Sequence, residues 1–247
     1  VLFRSGVRVV ALAGNPNTGK STLFNSLTGL KQHTGNWPGK TVTRAEGGYQ
    51  FNSVKYKLVD LPGTYSLLSA SQDEEVARDF ILFGQPDCTI VVTDATALER
   101  NLNLVIQVME ITDRVVVAIN LMDEARRKGI EVDARSLSRD LGIPAVPVTA
   151  RTGEGIHTLL ATVADLINGD IIVKPRRVEG TPEFQKAVNE LVPMIEQMAP
   201  GIPNARWLAI RLLDGDARVQ NAITSGELAE IVSRQKRADV QFSKKMS

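Results

Sequence analysis

The sequence is poor in two features that mark secreted or strongly charged proteins. Cys88 is the only cysteine among its 247 residues, so no internal disulfide can form, and such a composition is typical of a reducing compartment. Net charge is also nearly absent, because 29 Lys and Arg are matched by 28 Asp and Glu. We therefore expect no bulk electrostatic attraction to nucleic acid or to a charged surface.

Long apolar runs are missing as well. The longest stretch without a charged side chain is Leu61–Gln72, which has 12 residues, whereas a membrane-spanning helix needs about 20 mostly apolar residues. The start of the chain has neither the charged beginning nor the apolar centre of a secretory signal. It also lacks an initial Met, and we expect residues 1–6 to be an extraneous remnant that takes no part in the fold.

Apolar residues, at 43% of the chain, suffice for a sizeable core. From Val7 onward short apolar runs alternate with longer helical patterns, which predicts an α/β fold. The predicted strands are Val7–Ala13, Gly48–Phe51, Lys57–Asp60, Thr89–Thr93, Val115–Asn120 and Ala145–Val148. The predicted helices are Thr22–Thr28, Asp73–Phe83, Glu99–Ile111, Ala134–Leu141 and Gly155–Asn168. We expect a mostly parallel sheet of six strands.

The pattern changes at Gly169–Pro182, a segment rich in Gly, Pro and basic residues, after which no strand pattern recurs. Three helices are predicted beyond it, at Glu183–Met198, Trp207–Leu213 and Glu227–Arg237. We therefore expect two domains: an α/β domain at residues 7–170 and a small all-helical domain at residues 171–247.

A phosphate-binding loop is predicted at Gly14–Ser21, which reads GNPNTGKS and matches G-x-x-x-x-G-K-[ST] between a strand and a helix. Its glycines let backbone N–H groups surround phosphate oxygens, and the following helix points its positive N-terminus at them. Lys20 would neutralise the β and γ phosphates, and the Ser21 hydroxyl would bind Mg²⁺.

Asp60-Leu61-Pro62-Gly63 follows the next good strand, forty residues after Lys20. An acidic side chain at a strand end can hold Mg²⁺, usually through water, and the Gly63 amide can approach a γ-phosphate because no side chain intervenes. The motif is weak alone and becomes informative only after a phosphate-binding loop.

The choice of base is predicted by Asn120-Leu121-Met122-Asp123, after the strand Val115–Ile119. The Asp123 carboxylate can accept hydrogen bonds from guanine N1–H and the exocyclic 2-amino group, two donors that adenine does not present together. Thr149-Ala150-Arg151, after the sixth predicted strand, would place a backbone N–H near guanine O6. Four motifs in this order, each at a strand end, predict a guanine-nucleotide site.

These residues carry a resemblance to a known family. The chain resembles the cytosolic N-terminal GTPase region of the ferrous iron transport protein B (FeoB) family, a group of translation-factor-related P-loop GTPases. The matching phrases are GNPNTGKSTLFNSLTG (14–29), TGNWPGKTV (34–42), DLPGTYSL (60–67), DEEVARD (73–79), DATALERNLNL (94–104) and NLMDEARRKGI (120–130). They span residues 8 to about 165, and GNWPG and LERNLNL are much more specific than the motifs that GTPases share.

The resemblance implies a Ras-like fold and slow hydrolysis of GTP to GDP and phosphate. His33–Arg44 would be switch I, which the local composition predicts to be a loop, and Leu61–Glu75 would be switch II; both report hydrolysis by ordering and disordering. The Thr41 hydroxyl would bind Mg²⁺ beside Ser21 and Asp60. The expected nucleotide contacts are Gly14, Asn15, Asn17, Thr18, Gly19, Lys20, Ser21, Thr22, Asp60, Gly63, Asn120, Asp123, Thr149 and Ala150, and the expected catalytic residues are Asn17, Lys20, Thr41 and Gly63.

Asn17 matches an asparagine that helps coordinate K⁺ in several related GTPases, where the cation takes the place of an arginine finger. The resemblance therefore implies hydrolysis stimulated by K⁺. The Gln that positions water in Ras-like proteins has no counterpart, because Thr64 follows Gly63. A nucleotide-binding scaffold that does not hydrolyse GTP stays open for this reason.

The partners that the resemblance implies are guanine nucleotide, a C-terminal membrane domain of the same protein, small Feo accessory proteins and further copies of the chain, with no nucleic acid. The implied location is the cytoplasmic face of the bacterial inner membrane. The alternative is a soluble Era-like GTPase of ribosome or tRNA maturation. Such a protein would carry an RNA-binding module, for instance a KH fold with a Gly-x-x-Gly loop, and the tail contains no such motif.

Overall fold

Seven strands form one sheet in the described part of the chain, which comprises residues 6–37, 40–68, 71–177, 179–202, 204–226, 228 and 230 of a computed structural model. The strands are β1 (Val7–Gly14), β2 (Gln32–Asn36), β3 (Thr43–Phe51), β4 (Val54–Asp60), β5 (Cys88–Asp94), β6 (Val115–Asn120) and β7 (Ala145–Pro147). Their order is β2-β3-β4-β1-β5-β6-β7. The five strands from β4 to β7 are parallel, and β3 and β2 continue the sheet in antiparallel pairing.

The central strands are apolar along their whole length because both faces of the sheet are covered. Every residue of β6 is buried, and β5 is buried from Cys88 to Thr93. Near-continuous Val and Ile runs are typical of parallel strands covered on both faces. One apolar core cluster includes residues of β1, β4, β5, β6 and α1, the helix that follows the phosphate-binding loop.

Six helices alternate with these strands in the described chain. They are α1 (Lys20–Thr28), α2 (Gln72–Gly84), α3 (Leu98–Ile111), α4 (Met122–Arg127), α5 (Ala134–Leu141) and α6 (Ile156–Asn168). In α3 the buried residues Leu104, Val105 and Val108 form the apolar stripe that predicted the helix. The α/β class and the mostly parallel sheet are confirmed.

The chain divides into two compact units. Among the described residues, one unit comprises residues 6–81 and 86–176, and the other comprises residues 82–85 and those from Arg177 onward. Lys174 and Arg176 donate backbone hydrogen bonds to the carbonyls of Gly142 and Leu141 at 3.0 and 2.9 Å, which ties the segment after α6 to the α/β unit.

The second unit contains the helices α7 (Pro182–Met198), α8 (Ala205–Leu213) and α9 (Ala217–Thr224) in its described part. Each begins at a residue whose side chain caps the helix by accepting backbone N–H bonds, namely Thr181, Asn204 and Asp216. Residues 227–237, where the sequence predicts a helix, lie almost wholly outside the described residues.

The expected count of six strands and five helices before the tail is wrong, because β2 and α4 were not predicted. β2 and the start of β3 overlap His33–Arg44, where the sequence predicts a loop. Pairing with β3 along five residue pairs makes Gln32–Asn36 a strand in spite of its Gly and Asn, and the Trp37 N–H closes the turn onto the Val42 carbonyl at 2.9 Å. Pro38 and Gly39, on which the loop prediction also rested, lie outside the described residues.

The described residues include no helix with both the length and the apolar character needed to cross a membrane.

Candidate functional site

All four predicted motifs lie at the carboxyl edge of the parallel strands. Gly14–Ser21 follows β1, Asp60–Gly63 follows β4, Asn120–Asp123 follows β6, and Thr149–Arg151 follows β7. β1 lies between β4 and β5, and the strands that follow it lie first on one side of it, β2 to β4, and then on the other, β5 to β7. The crevice at such a switch point is where ligands bind in open α/β sheets.

Two of the eight residues of the phosphate-binding loop have a left-handed backbone conformation. Asn17 has φ 66° and Gly19 has φ 77°, and asparagine and glycine are the residue types that tolerate this region. The Thr18 hydroxyl donates to the Asn15 carbonyl at 2.9 Å and fixes the bend. The loop then enters α1 at Lys20, and the helix N-terminus is directed at the crevice.

Two glycines of this loop have no room for a side chain. A Cβ on Gly14 would lie 2.7 Å from the Val92 carbonyl oxygen, and a Cβ on Gly19 would collide with the Asn120 amide. The loop therefore packs its backbone against β5 and against the base motif.

Asn15 supplies an unpaired polar atom at the site. Its side chain is 2% exposed, and its Oδ1 accepts no hydrogen bond within the described residues. Buried polar atoms are nearly always hydrogen-bonded, so this atom fits a site that receives a ligand.

Lys20 reaches the end of β4. Its Nζ donates to Asp60 Oδ1 and, at 2.7 Å, to the Leu61 carbonyl. Burial raises the pKa of the Asp60 carboxyl, and the charge of Lys20 opposes that rise. The pair places an ammonium and a carboxylate side by side where phosphate and a divalent cation are expected.

Asn120 joins the two ends of the site. Its Nδ2 donates to the Thr18 carbonyl at 2.9 Å, and its Oδ1 accepts the Ala150 N–H at 3.0 Å. Its side chain is 1% exposed. One buried amide thus links the phosphate-binding loop to the loop after β7.

Asp123 stands at the rim, at the start of α4. Its Oδ2 accepts from Arg151 Nη2 at 2.9 Å, and Arg127 lies 3.9 Å away. The hydrogen bond from Arg151 holds the pKa of Asp123 below its ordinary value. The carboxylate expected to select guanine is therefore ionised at neutral pH, and its present partner is exposed.

The loop after β7 is held by its own residues. Thr149 is buried, its N–H donates to the Glu154 carbonyl at 2.9 Å, and its hydroxyl lies 3.3 Å from Glu154 Oε2. The Ala150 N–H, one of the amides expected near guanine O6, is bonded to Asn120.

The structure does not bring Thr41 to the other predicted Mg²⁺ ligands. Its hydroxyl donates to Gln72 Oε1 at 3.2 Å, and the neighbouring Lys40 forms an ion pair with Glu75 at 2.9 Å. Trp37 packs edge-on against Phe80, with ring centres 5.3 Å apart. These contacts join switch I to α2.

The remaining predicted residues line the crevice beside α1. Ser21 and Thr22 are exposed in the first turn of α1, and Asn17 is exposed in the loop before it. A Cβ on Gly63 would lie 3.7 Å from the backbone of Pro16, and the Thr64 N–H donates to the Gly14 carbonyl at 3.3 Å. The start of switch II is therefore seated on the phosphate-binding loop.

The oxygen ligands available here fit Mg²⁺. Ser21 offers a hydroxyl, Asp60 offers a carboxylate, and both lie next to Lys20 in sequence or in space. Hydroxyl, carboxylate and water oxygens are the ligands that Mg²⁺ takes beside nucleotide phosphates.

Two residues of α3 contact switch II and were not predicted as functional. Gln107 accepts the Leu67 N–H at 2.6 Å, and the Arg100 guanidinium lies 4.7 Å from the centre of the Tyr65 ring. Arg100 belongs to the specific phrase LERNLNL. That phrase, with no role among the nucleotide motifs, was the available signal.

Two sequence models of one family match most of the chain. The sequence model for ferrous iron transport protein B matches residues 8–163, and the model for the FeoB cytosolic helical domain matches residues 181–246. The Fe(2+) transporter FeoB of Escherichia coli (strain K12) is 40% identical over 213 residues, which cover 84% of this chain and 27% of that protein. The chain thus spans about a quarter of the length of the curated relatives it matches.

Solved structures of the same family share the fold. The cytosolic domain of L. pneumophila FeoB is 34% identical with a TM-score of 0.79, and the match covers 92% of this chain and 88% of that one. The cytosolic domain of T. maritima FeoB in GDP form II is 32% identical with a TM-score of 0.81, covering 98% and 99%. Because the tail matches a helical domain of this family, the Era-like alternative is not favoured.

Proposed function

This chain belongs to the ferrous iron transport protein B (FeoB) family, and from that premise we propose that it is the GTP-hydrolysing switch of a ferrous iron transporter. The α/β unit is the GTP-binding domain, and the residues from Arg177 onward are a helical domain that leads to a membrane domain. The observation that carries the proposal is the convergence of four motifs at one sheet edge, joined by Asn120. The GDP form of the T. maritima relative supports it.

The phosphates bind at Gly14–Ser21. Amides of the loop and the N-terminus of α1 face the phosphate oxygens, with Asn15, Thr18, Gly19 and Thr22 at the wall. Lys20 exchanges its bonds to Asp60 and the Leu61 carbonyl for bonds to β and γ phosphate oxygens, which are ionised acceptors like the Asp60 carboxylate. The Gly63 N–H meets the γ-phosphate, because Gly63 is seated against the loop.

Guanine binds between Asn120 and Thr149–Ala150, with Asp123 reading its N1–H and 2-amino group. Asp123 exchanges its ion pair with Arg151 for these two donors. The loss of free energy is small because the Arg151 side chain is 73% exposed. Asn120 keeps its two hydrogen bonds and holds both loops in place.

Two cations would complete the site when nucleotide is bound. Ser21, Asp60 and Thr41 would hold Mg²⁺, and Asn17 would hold K⁺ beside the phosphates. Thr41 would leave Gln72 to do so, which would couple nucleotide to switch I. The cations supply positive charge where negative charge develops between the β and γ phosphates.

The proposed setting is the cytoplasmic face of the bacterial inner membrane. The partners are guanine nucleotide, the membrane domain of the full-length protein, small Feo accessory proteins and further copies of the chain. Nucleotide state would be passed to Fe²⁺ uptake through the helical domain.

The test is the rate of phosphate release from GTP in KCl and in NaCl. We expect hydrolysis about tenfold faster in KCl, a preference that Asn17→Ala abolishes, whereas Asn221→Ala, a change to an exposed helical-domain residue, keeps it. Equal rates in the two salts, unchanged in Asn17→Ala, would remove the K⁺ assignment. Tight GTP binding without hydrolysis in either salt would contradict the proposed GTPase activity and favour a nucleotide-binding scaffold.

A further inference from the structure

Switch II is bonded to helix α3 four residues after Gly63. Gln107 Oε1 accepts the Leu67 N–H at 2.6 Å, and the Ser66 hydroxyl lies 3.3 Å from the same oxygen. The side-chain carbonyl of Gln107 therefore accepts from two adjacent residues, which lie 41 and 40 positions before it in the chain. Leu67 itself is 2% exposed, so water is a poor substitute for this acceptor.

Two more α3 residues lie on the same side of the helix. Arg100 lies over the Tyr65 ring at 4.7 Å, and Asn103 Oδ1 accepts from Gln107 Nε2 at 3.5 Å. Positions 100, 103 and 107 follow the i, i+3, i+7 spacing of one helix face. We call Arg100, Asn103 and Gln107 the α3 face. Its first two members belong to the phrase LERNLNL, which the nucleotide site leaves without a role.

The α3 face stands on a fixed support. The adjoining, core-facing side of α3 is buried at Leu104, Val105 and Val108. Asn101, 4% exposed, accepts the Asp94 N–H at 2.8 Å and donates to the Ala97 carbonyl at 3.1 Å, which ties the start of the helix to the end of β5. Contacts made from such an element hold their partner in one position.

The segment between Gly63 and Leu67 is thus held at both ends. The Thr64 N–H donates to the Gly14 carbonyl at 3.3 Å, which seats its start on the phosphate-binding loop. Within it the Ser66 N–H donates to the Thr64 hydroxyl at 3.1 Å. Only three residues separate Gly63 from the Leu67 amide, so release of the Gln107 end would leave Gly63 held through the Thr64 end alone.

We infer that the α3 face is the positioning device for switch II, and that Gln107 is a positioning residue for GTP hydrolysis. The inference rests on the proposed function. Gln107 touches neither nucleotide nor water in it: the residue acts by holding Ser66 and Leu67, and through them the Gly63 amide that meets the γ-phosphate. Small displacements of such a group cost large factors in rate while leaving binding at distant contacts intact.

The decisive variant is Gln107→Leu, which keeps the size of the side chain and removes the acceptor. We expect kcat for GTP hydrolysis to fall about tenfold or more, with KM and GDP affinity within about twofold, because the loop at 14–21 and the base motif are untouched. Hydrogen exchange at the Leu67 amide is the second readout, and its protection is expected to drop about tenfold as its acceptor disappears.

Three further variants separate positioning from a general structural effect. Gln107→Glu keeps an oxygen acceptor for Leu67 and is expected to restore kcat and amide protection. Arg100→Ala loses only the contact with Tyr65, and we expect a smaller fall in kcat. Gln50→Leu makes the same chemical change at an exposed position of β3 and should leave kcat, KM and exchange at their parent values.

The outcomes distinguish this inference from the proposed function. A parent chain that binds no guanine nucleotide overturns both. A parent that hydrolyses GTP while Gln107→Leu keeps the parent kcat overturns only the role of Gln107. Equal losses in Gln107→Leu and Gln107→Glu, or a loss of GDP affinity that matches the loss of kcat, would also contradict positioning. Thermal melting of each variant identifies loss of fold, in which case Gln107→Glu and Arg100→Ala decide the question.

Discussion

The two ends of the nucleotide site are built by different means. At the phosphate end the ligand-facing groups belong mainly to the backbone, which Asn17 and Gly19 hold in left-handed conformations and which packs too closely for a Cβ at Gly14. At the base end the selective group is a side chain, Asp123, which stands at the rim and is paired with the exposed Arg151.

This difference teaches where affinity and where selectivity arise. A backbone cradle reads any nucleotide phosphate, because every nucleoside diphosphate presents the same oxygens. A carboxylate that needs two donors from the base discriminates between bases. The near-zero net charge of the chain is consistent with this division, since one lysine and a helix N-terminus attract the anion at the site itself.

Lys20→Ala is expected to break the phosphate end with the largest effect. Removing the ammonium takes a charged hydrogen bond from the phosphates and leaves Asp60 without its partner, so affinity for GDP should fall about 100- to 1,000-fold. Titration calorimetry measures it. Lys31→Ala, at an exposed position just after α1, is the matched control and should bind GDP like the parent. Unchanged GDP affinity in Lys20→Ala would contradict the assignment of the phosphate site.

Asp123→Ala is expected to break the base end alone. Two hydrogen bonds from guanine to a charged acceptor disappear, so GDP affinity should fall about 30- to 100-fold. ADP lacks both donors, so its affinity for Asp123→Ala should equal its weak affinity for the parent. Competition between the two nucleotides for the same sample measures the ratio, and an equal drop for GDP and ADP would mean that Asp123 supports the fold and does not read the base.

Asn120→Ala tests the link between the two ends. It leaves the Thr18 carbonyl and the Ala150 N–H unpaired inside the protein, and we expect the free energy of unfolding to fall by about 2 kcal/mol. Denaturant unfolding of the nucleotide-free chain measures the change. Asn168→Ala at the exposed end of α6 should stay within about 0.5 kcal/mol of the parent. A stability equal to the parent in Asn120→Ala would show that the two ends are independent.

Arg151→Ala should have the smallest effect on GDP binding, and it tests how the ionisation of Asp123 is controlled. Arg151 is the main cause of the lowered pKa of Asp123, so the pKa should rise toward its ordinary value in the variant. A carboxyl with a lowered pKa keeps its charge until pH falls through that value; in Arg151→Ala, GDP binding is therefore lost at a higher pH on acidification. Carboxyl-carbon NMR of Asp123 follows the titration. Arg127→Ala should raise the pKa of Asp123 less, because Arg127 lies farther from the carboxylate. An unchanged pKa in Arg151→Ala would show that the ion pair with Arg151 does not control the ionisation of Asp123.

Much of the α/β fold could be predicted because its signals are local. Val115–Asn120 and Ala134–Leu141 have the predicted bounds, since an apolar run and an amphipathic stripe each carry their own period. β2 could not be predicted in this way: Gly35 and Asn36 disfavour a strand, and only pairing with β3 makes them one. Helix α4 was hidden because its six residues begin inside the base motif, at Met122.

The candidate site divides in the same way. Gly14–Ser21 and Asp60–Gly63 are visible because fixed spacing and strand context determine their chemistry. The bridging role of Asn120 and the bond from Leu67 to Gln107 join residues far apart in the chain, and no spacing rule describes them. The contact of Thr41 with Gln72 is likewise a property of the folded chain, and the assignment of Thr41 to Mg²⁺ stays a prediction.

Affinity for GDP measured against ADP, by calorimetry on the same sample with Mg²⁺, tests the central claim that the four motifs form one guanine-nucleotide site. The account predicts one GDP bound per chain, at least about 1,000-fold tighter than ADP. Equal affinity for the two nucleotides, or no binding of either, would contradict it.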